Sequence, residues 1–410
     1  MRKYKTSLGK TLVLSSKKLD KGGEADIYQI LQPSQYKNCV AKIYRKKSSA
    51  KFKKKMMTKE TKLKYMTKHL ISKVSTRKLN DVLILPIDTI YCNNEFIGYV
   101  MPYVKDKVSL IKLLLNDVDS SWDNLNLSST KDKDVVFLNR LIISYNVVKA
   151  IKLLHGTDDV VLVDLKPDNI LVSKKGDISL IDLDSIQINT NKVFYPADVV
   201  TREYVPRENS IIDYKNEPVN KNWDYFILGS IVYCILIGVN PFSAYYKNLH
   251  TQEELLKNGL FVHGKEKHNI SYHPTSPHNN YKLLDVQLQN LFQKCLDQGS
   301  FDPNLRPNLD EWESVLFDVI QSEKKGAFPP KIKMKYKEEK DIGILSWDIE
   351  NANEVLLTTY HESYKGGYKK FNLKQVQERG EIILPLFKSK YEIYAKNDKK
   401  SALEIIEISS

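Results

Sequence analysis

An acid, a lysine and an amide side chain stand within six residues in the run Val163-Asp164-Leu165-Lys166-Pro167-Asp168-Asn169-Ile170-Leu171-Val172, just ahead of a strand-like stretch. Asp164 offers a carboxylate that can take a proton. Lys166 offers a cation that can face developing negative charge, and Asn169 an amide oxygen for a hard metal ion. Pro167 restricts the local backbone, so the segment reads as a loop. Asp182 comes thirteen residues after Asn169, beyond a second short strand. A hairpin turning through Lys174–Asp177 would bring Asn169 and Asp182 to one end. Two oxygen ligands there suit Mg²⁺, which takes few protein oxygens and relies on phosphates for the rest.

The run resembles the catalytic loop of the protein kinase superfamily, in its serine/threonine branch. The resemblance implies that Asp164 is the catalytic base and that Lys166 stabilises the transferring γ-phosphoryl group of ATP. It implies that Asn169 and Asp182 hold Mg²⁺. Val40-Ala41-Lys42-Ile43-Tyr44 resembles the third-strand lysine motif, with Lys42 on the α- and β-phosphates. Its implied partner is Glu60, the only acid between residues 43 and 80, on a predicted helix. Leu19-Asp20-Lys21-Gly22-Gly23-Glu24-Ala25-Asp26-Ile27-Tyr28 is similar to the glycine-rich phosphate loop. Only Gly22 matches a family glycine, Asp20 and Ala25 replace the outer two, and Gly23 adds freedom nearby. Met101-Pro102-Tyr103-Val104 falls where the family joins its lobes, with Met101 as gatekeeper. Pro102 has no N–H and would give adenine only its C=O, while Val104 would give its N–H. Thr201 in Thr201-Arg202-Glu203-Tyr204 matches a threonine bridging the catalytic Asp and Lys. Glu208 would pair with Arg306, and Asp224 would anchor the catalytic loop from a buried helix.

Two departures stand out. Leu162-Val163 occupies the place of the family's His-Arg, and Asp182-Leu183-Asp184 that of its Asp-Phe-Gly. Similar Asp-x-Asp-Ser forms occur in divergent bacterial kinases, some with accessory C-terminal domains. Val163 has no charge to receive a phosphate, so activity independent of activation-segment phosphorylation is expected. Two other readings stand beside an active serine/threonine protein kinase. One is a nucleotide-binding scaffold acting through its C-terminal module, favoured by the degenerate glycine loop. The other is a kinase-fold enzyme acting on a small molecule.

The elements that must position these residues follow from periodicity. Thr11–Ser15, Ile27–Leu31, Cys39–Tyr44, Val82–Ile90 and Phe96–Tyr103 are β-branched and aromatic, and read as strands. A helix interrupts them over Ala50–Val74, with Phe52, Met56, Leu63, Met66 and Leu70 near helical spacing. Asp134–His155 and Trp223–Ile237 are the principal later helices, and residues 116–133 look like a flexible polar insertion. The order is a small strand-rich part followed by a larger helical one, and the resemblance implies an α+β class: a bilobal protein-kinase-like fold over residues 10–321, with an N-lobe to about 103 and a helical C-lobe from 104. Residues 322–333 read as a linker, because Gly326, Pro329 and Pro330 break regular structure. Short strands over 334–410 suggest a small β-sandwich with Trp347 and Tyr391 as core aromatics. Its Leu345-Ser346-Trp347-Asp348 start, Val355–Thr359 strand and Tyr391–Asn397 stretch resemble small bacterial immunoglobulin-like modules, which implies a protein-binding element.

Composition bounds the rest. With 410 residues, 42% hydrophobic and 28% charged, the chain is long enough for a sizeable core and excludes collagen-like or wholly disordered classes. Four scattered cysteines without a CxxC pair argue against structural zinc and fit a reducing compartment. The longest apolar stretch, Phe226–Val239, is too short to span a bilayer. A cytoplasmic protein with no membrane span is expected. Residues 1–80 hold 23 Lys and Arg against four acids. Such a basic region either meets an acidic protein or nucleic acid, or is only a solvated lysine-rich face.

Overall fold

The architecture was taken from a computed structural model, which describes residues 3–21, 23–71, 81–126, 133–157, 160–327, 330–340, 342–362, 368–385, 389–397 and 400–408. The chain divides into two compact units, residues 1–128 with 140–316, and residues 129–139 with 317–410.

In the first unit, alternating apolar residues build strands that share one face. The strands β1 (Lys3–Thr6), β2 (Thr11–Lys21), β3 (Ala25–Gln32), β4 (Cys39–Tyr44), β5 (Asp88–Cys92) and β6 (Glu95–Pro102) close into an antiparallel barrel in the order β1-β2-β3-β4-β6-β5. Leu12, Leu14, Ile30, Ala41, Ile90, Ile97 and Val100 fill it. Sequence periodicity misses β1, whose Lys-Tyr-Lys-Thr has one apolar side chain, yet its Lys5–Tyr91 pairing closes the barrel. The strand expected over Val82–Ile90 begins only at Asp88. Upstream of it, Leu83 bridges to Leu180 in the helical part. Gly98 faces Ile43 across the β4–β6 ladder, and a Cβ there would lie 2.0 Å from the Lys42 carbonyl oxygen. Only glycine lets β6 close on the strand that carries Lys42.

Helix α1 (Ala50–Tyr65) starts at Ser49, whose side chain accepts from the Phe52 N–H, and runs into a wider turn over Met66–Leu70. The end of the predicted helix, residues 72–74, lies outside the described residues. The helix buries Lys59, Lys62, Leu63, Met66 and Leu70.

The helical part is organised by α2 (Lys133–His155) and α3 (Asn222–Ile237). The second is buried from Trp223 to Ile237 apart from Tyr225, and ends at Gly238 with φ 94°, the left-handed cap glycine favours. Among the described residues no helix is long and apolar enough to cross a membrane. Two small sheets carry the loops. One pairs β7 (Lys107–Ser109) with β9 (Ile170–Ser173) and β9 with β10 (Ile178–Leu180). The other pairs β8 (Val160–Val161) and β12 (Phe194–Tyr195) with β11 (Gln187–Asn189). The strands β13 (Tyr245–Tyr246) and β14 (Ile270–Ser271) form a short ladder. The stretch expected as a flexible insertion is partly packed, because Trp122 and Leu125 are buried. All four cysteines are free. Burial pushes the thiols of Cys234 and Cys295 up to about 12.

Of the linker expected at 322–333, residues 328 and 329 lie outside the described residues, while 322–327 are helical and 331–333 are strand. Helix α4 (Leu309–Ala327) runs through Gly326, and β15 (Lys331–Glu339) starts one residue after Pro330. Glu323, Lys324 and Lys325 favour the helix enough to carry one glycine in its last turn.

The remaining strands are β16 (Ile342–Glu350), β17 (Glu354–Glu362), β18 (Tyr368–Gln375), β19 (Arg379–Pro385), β20 (Ser389–Lys396) and β21 (Ser401–Ile408). They form two sheets, β15-β16-β19 and β18-β17-β20-β21. Leu345, Trp347, Ile349, Val355, Leu357, Tyr391, Ile393 and Ile408 form one core. Trp347 donates to the Gln377 carbonyl at 3.0 Å, which satisfies the indole N–H within that core.

Candidate active site

The 162–169 loop leaves β8 and is pinned by α3. Asp224, fully buried, accepts from the Leu162 N–H at 2.7 Å and the Val163 N–H at 2.9 Å. His155 Nε2 lies 2.8 Å from the same carboxylate, and Trp223 Nε1 donates to the Val163 carbonyl. Val163 is thereby held at φ 65°, a conformation a β-branched residue rarely takes. His155 carried no expectation from sequence. It is the last residue of α2, and only the fold brings it to Asp224.

Beyond that anchor, three side chains meet. The Thr201 hydroxyl donates to Asp164 at 2.7 Å, and Lys166 Nζ donates to the same hydroxyl at 3.1 Å. Lys166 Nζ stands 3.5 Å from the second Asp164 oxygen. Burial raises the Asp164 pKa above the ordinary carboxylate value, and Thr201 and Lys166 only partly offset that. The arrangement holds a carboxylate able to take a proton, with a cation beside it.

The β9–β10 hairpin pairs Ile170 with Leu180, and the Ile181 N–H donates to the Asn169 carbonyl at 3.0 Å. This places Asp182 beside Asn169. Asn169 Nδ2 donates to the Asp164 carbonyl, which turns its Oδ1 the other way. Asp182 sits at φ 58° with its carboxylate half-exposed. Two hard oxygen donors, one open to solvent, fit Mg²⁺ completed by phosphate and water. Among the described residues there is no larger cluster of acids, histidines or cysteines that could hold a metal.

Lys42 is where geometry and expectation part. Its Nζ lies 2.8 Å from Asp184 and 3.1 Å from Asp182. Glu60, its expected partner, instead accepts from Tyr91 at 2.9 Å and Lys64 at 2.7 Å. The reason is helical phase. Met56, Lys59, Leu63, Met66 and Leu70 follow one another at three- and four-residue steps, and four of these five are buried. Lys59 lies within about 20° of the centre of that stripe and Glu60 about 80° from it. Lys59 therefore takes the inward place and reaches Asp184 and Asp198, each at 2.9 Å. Tyr44 and Tyr99 also donate to Asp184, both at 2.8 Å. Burial alone would depress the Lys42 and Lys59 ammoniums, but Asp184 with its neighbouring acids holds both above the ordinary lysine value. Burial would raise Asp184, and the two lysines override it to hold the carboxyl well below its usual range. Next along the helix, burial pulls Lys62 down to about 8, and it donates to the Pro196 carbonyl at 3.1 Å.

Of the expected phosphate loop, Gly22 lies outside the described residues. Gly23 is exposed, with open space where a Cβ would go and no positive φ. The hairpin beside it is braced by charge, Lys18 and Arg45 both meeting Asp26. Met101 is buried on β6 opposite Val40, and Pro102 pairs with Cys39. Val104 follows, half-buried. Pro102 and Val104 also border a cleft of about 660 Å³ with Asp81, Lys107, Asn146, Lys149 and Ser179, apart from Asp164, Lys166 and Asp182. Farther on, Arg306 clamps Glu208 with two parallel bonds of 2.6 and 2.7 Å.

The family model for the protein kinase domain matches residues 14–316. The chain is 35% identical over 114 residues to serine/threonine-protein kinase 17A of Oryctolagus cuniculus, covering 27% of this chain and 26% of that protein. It is 30% identical over 181 residues to cAMP-dependent protein kinase type 3 of Saccharomyces cerevisiae, covering 42% and 40%. The matched stretches thus span less than half of these relatives. In fold it is similar to the ROP18 kinase domain in complex with AMP-PNP and sucrose, with TM-score 0.50, 18% identity and coverage of 78% and 84%. It is also similar to ROP2 from Toxoplasma gondii, described as a virulence factor with a protein-kinase fold and no enzymatic activity, with TM-score 0.52, 15% identity and the same coverage.

Proposed function

From a chain that belongs to the protein kinase family, we propose an active serine/threonine kinase that transfers the γ-phosphoryl group of ATP to protein hydroxyls. The observation that carries this reading is the Asp164–Thr201–Lys166 triangle, with Thr201 bonded to both partners. Asp164 orients the substrate hydroxyl and takes its proton. Lys166 faces the charge on the transferring group, and Lys42 holds the α- and β-phosphates. Asn169 and Asp182 hold Mg²⁺, which neutralises phosphate charge when bound. Adenine sits against Met101 and the backbone of Pro102 and Val104, under a loop that keeps Gly22 and Gly23.

Activity in this reading does not wait for phosphorylation of residues 185–203. Val163 has no cation to receive a phosphate, and Lys59 and Lys62 already hold Asp198 and the Pro196 carbonyl. The Glu208–Arg306 clamp supports a segment shaped to dock a peptide. We place the protein in the cytoplasm, and assign the C-terminal module, read as immunoglobulin-like, to protein binding. The basic first 80 residues suit an acidic partner or nucleic acid.

The test is phosphate incorporation from labelled ATP into a panel of proteins, wild type beside Asp164→Asn, before and after phosphatase treatment. Incorporation by the wild type alone, unchanged by phosphatase, supports the reading. Equal incorporation by both proteins overturns it in favour of a nucleotide-binding scaffold. The ROP2 likeness and the loss of the outer loop glycines favour that second reading.

A further inference from the structure

We propose that Lys59 is a positioning residue that fixes Lys42 through Asp184, so that the ion pair joining α1 to the lysine strand runs with its polarity reversed: the helix supplies the cation and the segment after β10 supplies the acid. The inference rests on the phosphoryl-transfer reading above.

Asp184 is almost wholly buried and takes four donors. Oδ1 accepts from Lys42 Nζ and the Tyr99 hydroxyl, each at 2.8 Å. Oδ2 lies 2.8 Å from the Tyr44 hydroxyl and 2.9 Å from Lys59 Nζ. A buried carboxylate with this many donors has little freedom, and the ammonium it holds is fixed with it. Asp184 stands two residues after Asp182, so the partner of Lys42 and the proposed metal ligand belong to one rigid turn.

Lys59 does more than neutralise. Its side chain is 4% exposed, its Nζ also meets Asp198 at 2.9 Å, and it lies 4.6 Å over the Tyr44 ring. It therefore ties helix α1, strand β4 and the 182–198 segment at a single atom. Asp198 is an acid fixed in the sequence, so this tie exists in the unphosphorylated chain. Glu60 has no place in it, since its carboxylate faces Tyr91 and Lys64.

The experiment compares Lys59→Met, Lys59→Arg, Asp198→Asn and Glu60→Gln with wild type in the full chain. It reads kcat and KM for ATP with casein as phosphate acceptor, and Mg·ATP affinity by calorimetry. Displacing a phosphate-holding group by about 1 Å costs on the order of 100-fold in rate, so Lys59→Met should lower kcat by about that factor. KM should move much less, and Lys59→Arg should recover most of the loss. Asp198→Asn should fall in the same direction, while Glu60→Gln should stay near wild type. A larger loss from Glu60→Gln than from Lys59→Met overturns the proposal. So does failure of Lys59→Arg to exceed Lys59→Met. If Lys59→Met does not fold, the order of Lys59→Arg, Asp198→Asn and Glu60→Gln decides. If the wild type transfers no phosphate, the kinase reading fails on its own, and hydrogen exchange in β4 and the 182–198 segment decides the proposal: protection should fall in Lys59→Met and hold in Glu60→Gln, and equal protection in the two variants overturns it.

Discussion

The two walls of the candidate site are held by different physics. The wall that carries Asp164 is fixed through peptide groups, with Asp224 accepting two main-chain N–H bonds and Trp223 donating to a third peptide. The wall that carries Lys42 is fixed by ions, two lysines and two aspartates sunk between α1 and the barrel. Buried charges cost desolvation and fail badly when one partner is removed. Asp224 is buried too, but neutral peptide N–H groups meet it, so each bond lost costs about 1.5–3 kcal/mol and strands no opposite charge. The first wall should therefore report in turnover and local stability, and the second in the coupling of nucleotide to helix.

The largest effect expected is on the first wall. Asp164→Asn should lower turnover about 10³-fold, near 4 kcal/mol in barrier, and leave Mg·ATP affinity nearly unchanged. Asp182→Asn should instead weaken affinity in Mg²⁺ and change it little in EDTA. Equal affinity losses in the two variants would erase the division between the walls. Next is Asp224→Asn, which turns an NH₂ toward donors. Denaturant titration of the full chain should show a loss of about 2–3 kcal/mol. If α1 loses hydrogen-exchange protection in that variant as fully as α3 does, the walls form one unit. Thr201→Val, which cuts the tie between Asp164 and Lys166, should cost roughly tenfold in turnover and under about 1.5 kcal/mol in stability.

The smallest effect lies away from both walls. Burial drives His263 down to about 3, with His278 also lowered, and the Tyr233 hydroxyl sits between their rings. A neutral buried histidine binds fewer protons than the unfolded chain. Stability should therefore hold above the unfolded value of about 6.5 and fall as pH drops toward 3. Melting temperature against pH should flatten over that window in His263→Gln. An unchanged slope would assign the acid loss to other groups.

How much of this was legible in the sequence depends on what each residue is read by. Asp164, Lys166 and Asn169 stand within six residues, so their identities and spacing announce them. Thr201, Glu208 and Arg306 lie far along the chain and are legible only through the family resemblance. Lys59 was not, because Glu60 is the next residue and a one-residue step on a helix is a turn of about 100°. The signal was present in the stripe from Met56 to Leu70, which places Lys59 inside. Asp184 stood in the sequence as a replaced glycine. Its role needs Tyr44, Tyr99 and two lysines from three other elements, and no local pattern carries that. In the fold, α3 declares itself by an apolar run from Phe226 interrupted only by Gly229 and Ser230. Strand β1 and the tail of α4 do not, since one has a single apolar side chain and the other contains a glycine.

Val163, left-handed at φ 65°, has one more consequence. A valine in that conformation costs about 1–2 kcal/mol, and the bonds to its N–H and C=O offset it. Those bonds go to atoms that every residue except proline possesses in full. The anchor on α3 is therefore blind to the letters at 162 and 163. Leu162 and Val163 can therefore stand in this loop although neither side chain bonds to the helix: Asp224 receives both amides, and Trp223 meets the carbonyl.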